Sequence, residues 1–119
     1  MSTNQFSRSD RVSHQIKDII SNIFTSKAIS PNDGLTTITK VKTTNNLRFS
    51  RIYLSFINNQ RKPVDIVKEM NYKIKEYRFH LGKTLELKYV PQIKFYHDDT
   101  FEQMEYINSL INQANDKKS

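Results

Sequence analysis

"RFSRIYLSFINNQRKPVDIVKEM", residues 48–70, changes its hydrophobic period half-way along. Up to Phe56, the apolar Ile52, Leu54 and Phe56 alternate with Arg51, Tyr53 and Ser55. That is the two-residue period of a strand with one buried face. Beyond Pro63, which suits a first helical position, Val67, Met70, Ile74, Tyr77 and Leu81 recur at helical spacing. A half-buried strand that feeds a helix through the polar loop "NNQRK" predicts a mixed α and β domain.

Working outward, "LTTITKVK" (35–42) is rich in β-branched residues and predicts a strand. The turn-forming "TTNN" (43–46) would join it to residues 48–56 as an antiparallel hairpin. Before it, "SDRVSHQIKDIISNIFTSK" (9–27) carries Val12, Ile16, Ile19, Ile20 and Ile23 as one helical stripe, with Ser9 or Asp10 as its cap. "SPNDG" (30–34) reads as a turn. The second helix should run from about Pro63 to Leu81, with Gly82 at its end. Residues 83–90 fit a strand or a helical turn equally well. "PQIKFYHD" (91–98) predicts a third strand, with Ile93 and Phe95 inward and Pro91 at its start or edge. The last helix, 98–116, should open on a Thr100/Gln103 capping box and bury a stripe of Phe101, Met104, Ile107 and Ile111.

The order α-β-β-α-β-α then predicts an α+β fold, a two-layer α/β sandwich with a three-stranded sheet. A strand–helix–strand crossover returns the third strand parallel to the second. Helices cover one sheet face, and the other is expected to stay partly open. The expected organisation is an N-terminal arm at 1–8, one domain at 9–113 and a short frayed tail at 114–119.

The bulk numbers narrow the function classes. A chain of 119 residues suffices for one modest core. Mean hydropathy is −0.69, with 36% hydrophobic and 11% aromatic residues, which suits a polar folded chain better than a disordered one. No apolar run approaches the roughly 20 residues of a membrane helix, and "MSTNQFSRSD" has no secretory character. Cysteine is absent, which removes disulfides and thiolate metal sites and suits a reducing cytoplasm. Nineteen Lys and Arg against twelve Asp and Glu give a net charge of +7 and a pI near 9.7. A small basic domain points to a polyanionic partner.

Catalytic signatures are missing. With Gly34 and Gly82 as the only glycines, no phosphate-cradling glycine loop is possible. His14, His80 and His97 are scattered, and "HDD" (97–99) reads better as negative charge at a helix N-terminus than as a metal site. The expectation is therefore no enzyme activity, no metal, no cofactor and no small-molecule substrate. A more specific pattern lies in the second helix. With its stripe facing the core, Lys68, Lys75 and Lys83 fall outward with Tyr72 and Phe79 between them, and Arg78 lies on the flank. Ammonium groups suit phosphates, and exposed rings suit unpaired bases. The plainer reading is a solvated lysine face with two rings resting on neighbouring loops. Arg8, Arg11 and Arg51, with Lys40, Lys42, Arg48, Arg61 and Lys62, would extend such a patch.

"RVSHQI" (11–16), "ISPNDGLTTITKV" (29–41), "NNLRFSRIYLS" (45–55), "YRFHLGK" (77–83) and "LELKYVPQIKFYHDDT" (85–100), in this order and spacing, resemble the bacterial ribosome-binding factor A family. The resemblance spans about residues 8–112. It implies a type II KH-like domain of order α-β-β-α-(α)-β-α. It implies a non-enzymatic, cytoplasmic and monomeric assembly factor that binds 16S rRNA in the free 30S subunit and assists late rRNA maturation, notably in the cold. The family's Ala-x-Gly kink would fall on Lys73-Ile74-Lys75, where neither Ala nor Gly stands, so the residues themselves favour a continuous helix. Lys73 and Lys75 would there supply charge in place of close backbone approach. Two alternatives stand beside this reading: a general single-stranded RNA-binding module and a basic protein-interaction module.

Overall fold

The computed structural model describes residues 7–26 and 34–116. Among them the order is α1 (Arg8–Ser26), β1 (Leu35–Thr43), β2 (Phe49–Ile57), α2 (Pro63–Tyr72), α3 (Ile74–Thr84), β3 (Gln92–His97) and α4 (Thr100–Asp116). The sheet order is β1-β2-β3. β1 pairs antiparallel with β2, Ile38 opposite Leu54 and Val41 opposite Ile52, with an irregularity at Thr39. β3 pairs parallel with β2, Ile52 opposite Phe95, as the crossover requires.

The inward sheet residues Ile38, Ile52, Leu54, Phe56, Ile93 and Phe95 meet α1, α2 and α3 on one face. Tyr77 of α3 is fully buried. Its ring packs edge-on against Phe95 at 4.9 Å and Phe24 at 6.2 Å between centroids, and burial pushes its hydroxyl well above the usual phenol range.

The helix expected to run unbroken to Leu81 is divided at Lys73, whose backbone sits at φ −98°, ψ 21°. Its N–H is shared between the carbonyls of Glu69 (3.3 Å) and Met70 (3.0 Å). This bridge conformation lies at negative φ and is open to any L-residue, so the break needs no glycine. The division lets α2 pack on β3 while α3 also reaches α1. Ile66 and Met70 are buried on α2 and Tyr77 and Leu81 on α3, one stripe carried across the break, while Val67 and Ile74 are half-buried at its edge.

Both predicted caps move toward the N-terminus. The expected arm at 1–8 lies outside the described residues up to position 6; Ser7 and Arg8 belong to the start of α1. The Asp10 N–H donates to Ser7 Oγ and the Ser7 N–H to Asp10 Oδ2, each at 3.2 Å, a reciprocal capping box. At α4, Asp98 takes the role expected of Thr100. Its Oδ1 accepts from the Thr100 N–H (3.1 Å) and hydroxyl (2.6 Å), and its Oδ2 accepts from the Thr39 hydroxyl (2.6 Å). Gln103 donates instead to Asp99 Oδ2 at 3.1 Å. These bonds, led by the Thr100 hydroxyl, hold the Asp98 pKa down at about 2.

The hairpin turn also sits later than expected, with β1 running through Thr43 and Leu47 at φ 60°. Residues 85–91 form neither a strand nor a helix, although Leu85 is buried. Of the expected turn at 30–34, Gly34 alone is among the described residues. The expected tail at 114–119 lies outside them from position 117.

The α4 stripe is not buried. Phe101 is 64% exposed, and Met104, Ile107 and Ile111 each remain more than half exposed. The periodicity is real, but α1, α2 and α3 already cover the inner sheet face and leave α4 nothing there to join.

Candidate nucleic-acid interface

The outward side of α2 and α3 carries Lys68, Tyr72, Lys75, Phe79 and Lys83 in steps of three and four residues, so they form one row on the helix surface. All are exposed. Tyr72 is 92% exposed and Phe79 63%. Both rings thus stand largely in solvent. Lys83 Nζ lies 4.5 Å from the Phe79 ring centroid, a cation–π contact, and His80 meets the same ring edge-on.

The other candidates are placed differently. Lys73 Nζ reaches back one turn to Glu69 Oε1 at 3.6 Å, and Glu69 also pairs with Arg61. The Arg61 guanidinium holds the Glu69 carboxyl below its usual range, so this corner is partly neutralised. Arg78 is half-buried and donates from Nε to the Pro91 carbonyl (3.1 Å) and from Nη2 to the Val90 carbonyl (2.9 Å). Its Nε and Nη2 groups therefore fasten α3 to the segment leading into β3. Arg8 and Arg11 are exposed at the start of α1, and Arg11 lines an open groove with Lys17 and Lys40. Arg51 lies on the sheet face turned away from the helices. The structure thus gathers Lys68, Tyr72, Lys75, Phe79 and Lys83, and separates Arg51 from them by the thickness of the sheet.

One positioning residue carried no charge to draw the eye. Asn71 donates from Nδ2 to the Phe95 carbonyl (3.0 Å) and accepts the Phe95 N–H at Oδ1 (2.8 Å). Phe95 lies on the edge strand β3, and the amide stands in for a missing neighbour strand. It ties the last turn of α2, immediately before Tyr72 and the break, to the sheet. The signal in the sequence was an Asn inside a helix, where its side chain competes with the backbone unless it has another task.

The family model described as Ribosome-binding factor A matches residues 8–111. The chain belongs to the ribosome-binding factor A family. A ribosome-binding factor A of Chloroherpeton thalassium is 32% identical over 114 residues, covering 94% of this chain and 90% of that protein. The crystal structure of ribosome-binding factor A from Thermus thermophilus matches with a TM-score of 0.63 at 12% identity, over 75% of this chain and 94% of that one. A homology model of the Thermus thermophilus factor, fitted into a cryo-EM map of a 30S–RbfA complex, matches with a TM-score of 0.58 at 13% identity, over 72% of this chain and 90% of that one. At such identities the two structures speak for the fold alone. The break at Lys73 falls where the ribosome-binding factor A pattern would put its kink. No helix among the described residues is long and apolar enough to cross a membrane.

Proposed function

We propose that this chain is a non-enzymatic assembly factor that binds the free 30S subunit through 16S rRNA and assists late rRNA maturation, notably in the cold. It acts in the cytoplasm as a monomer. Family membership supports the ribosomal partner, since a neighbouring structure is fitted into a map of a 30S–RbfA complex. The observation that carries the RNA-contact reading is the row on α2 and α3, where two rings stand in solvent between lysines. In this reading Lys68, Lys75 and Lys83 neutralise phosphates while Tyr72 and Phe79 stack on unpaired bases, each ring contributing roughly 1–3 kcal/mol. Lys73, Arg8 and Arg11 add charge at the margins.

The test is gradient sedimentation with purified 30S subunits and 70S ribosomes. The parent should co-migrate with 30S and not with 70S. Combined Lys68→Gln, Lys75→Gln and Lys83→Gln should release it, and should lower the log–log salt slope of binding by about 0.7–0.9 for each phosphate no longer neutralised. Unchanged co-migration of that variant at low and moderate salt refutes this placement of the RNA contact. Equal affinity for short unstructured oligonucleotides and for 30S would favour the general single-strand binder instead.

A further inference from the structure

The sheet face away from the helices is a second surface, and its composition is one-sided. Register places Lys42, Arg51 and Lys94 side by side across the three strands, and Lys40, Tyr53 and Tyr96 in the adjacent row. The four cations are exposed. None of the three strands contains an Asp or Glu. Nearby Asp98 has both carboxylate oxygens engaged by Thr39 and Thr100. Neighbouring strands lie about 4.8 Å apart, and like charges directly opposite one another are destabilising. A row of three cations therefore lowers the stability of the free protein, and a polyanion laid across it would relieve that repulsion.

The rings say which polyanion. Tyr53 and Tyr96 stack with centroids 5.3 Å apart and planes at 26°. Lys40 Nζ lies 5.1 Å from the Tyr53 centroid and Lys94 Nζ 5.4 Å from that of Tyr96. Flat π surfaces with mobile ammonium groups beside them suit an unpaired base. The base takes the ring face while the ammonium swings to the adjoining phosphate. A duplex keeps its bases stacked inside and offers only phosphates, and an acidic peptide has no use for the rings.

We infer that the open sheet face is a separate binding surface for single-stranded RNA, stacking bases on Tyr53 and Tyr96 and holding phosphates with Lys42, Arg51 and Lys94. It lies across the sheet from the α2–α3 row, so one chain can hold an unpaired strand on one layer and a second RNA segment on the other.

The experiment uses the full chain and a fluorescein-labelled ten-nucleotide oligouridine, with an RNA duplex of ten base pairs as comparison. Combined Tyr53→Ala and Tyr96→Ala should weaken oligouridine binding at least tenfold. Tyr53→Phe with Tyr96→Phe, which keeps the stacking faces, should stay within about threefold. Lys42→Gln with Lys94→Gln should lower the salt slope by about 1.4. In the Lys68→Gln, Lys75→Gln and Lys83→Gln background, which removes the charge of the surface proposed above, Tyr53→Ala with Tyr96→Ala should still cost at least tenfold in oligouridine binding, which separates the two surfaces. In the unsubstituted protein, oligouridine should shift the amide resonances of Arg51, Tyr53, Lys94 and Tyr96, so the proposal is tested even if the alanine variant fails to fold. Shifts confined to α2 and α3, an alanine variant that binds like the parent, or equal affinity for duplex and single strand would each overturn it.

Discussion

Asn71 offers the sharpest test of how the molecule holds its candidate surface. Asn71→Ala removes two hydrogen bonds at once and leaves both the N–H and the C=O of Phe95 without a partner. Phe95 is 1% exposed, so water reaches these groups poorly. An unsatisfied buried backbone group costs about 1–3 kcal/mol, and the half-buried position of Asn71 lets water recover part of that. The expected loss is about 2–4 kcal/mol, or a fall in Tm of about 8–16 °C for a domain of this size. Urea unfolding with the m-value checked measures it, and hydrogen exchange at the Phe95 amide localises it. Asn71→Asp keeps the acceptor for the Phe95 N–H but turns an acceptor toward the carbonyl. The facing carbonyl raises the new carboxyl's pKa in the folded state. Protonation supplies the missing donor, so this variant's deficit should shrink as pH falls from the raised folded value to the ordinary carboxylate value, and level off below it. An Asn71→Ala protein within about 0.5 kcal/mol of the parent, with unchanged exchange at Phe95, refutes the reasoning.

Two further outcomes follow from the local geometry. Gly34 sits at φ 70°, and a Cβ there would lie 2.3 Å from the Ile57 carbonyl oxygen. Gly34→Ala should therefore cost about 2–4 kcal/mol in urea unfolding. Gly82→Ala, whose Cβ meets Val90 Cγ2 at 3.3 Å at an ordinary helical position, should stay within about 1 kcal/mol of the parent. Asp98, with its folded pKa depressed to about 2, contributes stability that is present above its unfolded value and is lost as pH falls from about 4 toward 2. Allowing for solvent screening this is on the order of 1 kcal/mol. Asp98→Asn should flatten that part of the stability–pH curve, and acid titration of thermal melts for both proteins checks it.

Periodicity made the strands, the α1 stripe and the crossover legible, because each depends on which residues share a face. What escaped it depends on contacts distant in sequence or on backbone states without a residue signature. The break at Lys73 uses a negative φ that any L-residue adopts, so the missing glycine was a poor guide. Ile66 and Val67 flank the stripe of Met70, Tyr77 and Leu81 on either side, so period alone separates them poorly, and the buried one is Ile66. The fastening role of Arg78 was hidden because its acceptors lie 12 and 13 residues away on a loop. The α4 stripe had the right period, but period alone cannot name what covers a face. Arg51 entered the candidate patch by charge, although its alternation with Ile52 already set it on the side opposite the core.

The residues that hold the α2–α3 row explain why its rings can stay in water. Burying a large apolar side chain is worth about 1.5–3 kcal/mol, so Tyr72 and Phe79 each leave stabilisation unrealised. A loosely held helix would rotate to recover it. Asn71 fastens α2 to β3 on one side of the break. On the other side Arg78 fastens α3 to residues 90 and 91, and fully buried Tyr77 is locked between Phe24 and Phe95. Rotation that buried Phe79 would expose Tyr77 and strip both backbone pairings, at a cost exceeding the gain. The row is thus held outward by its neighbours, and a surface fixed before binding loses less entropy when RNA arrives.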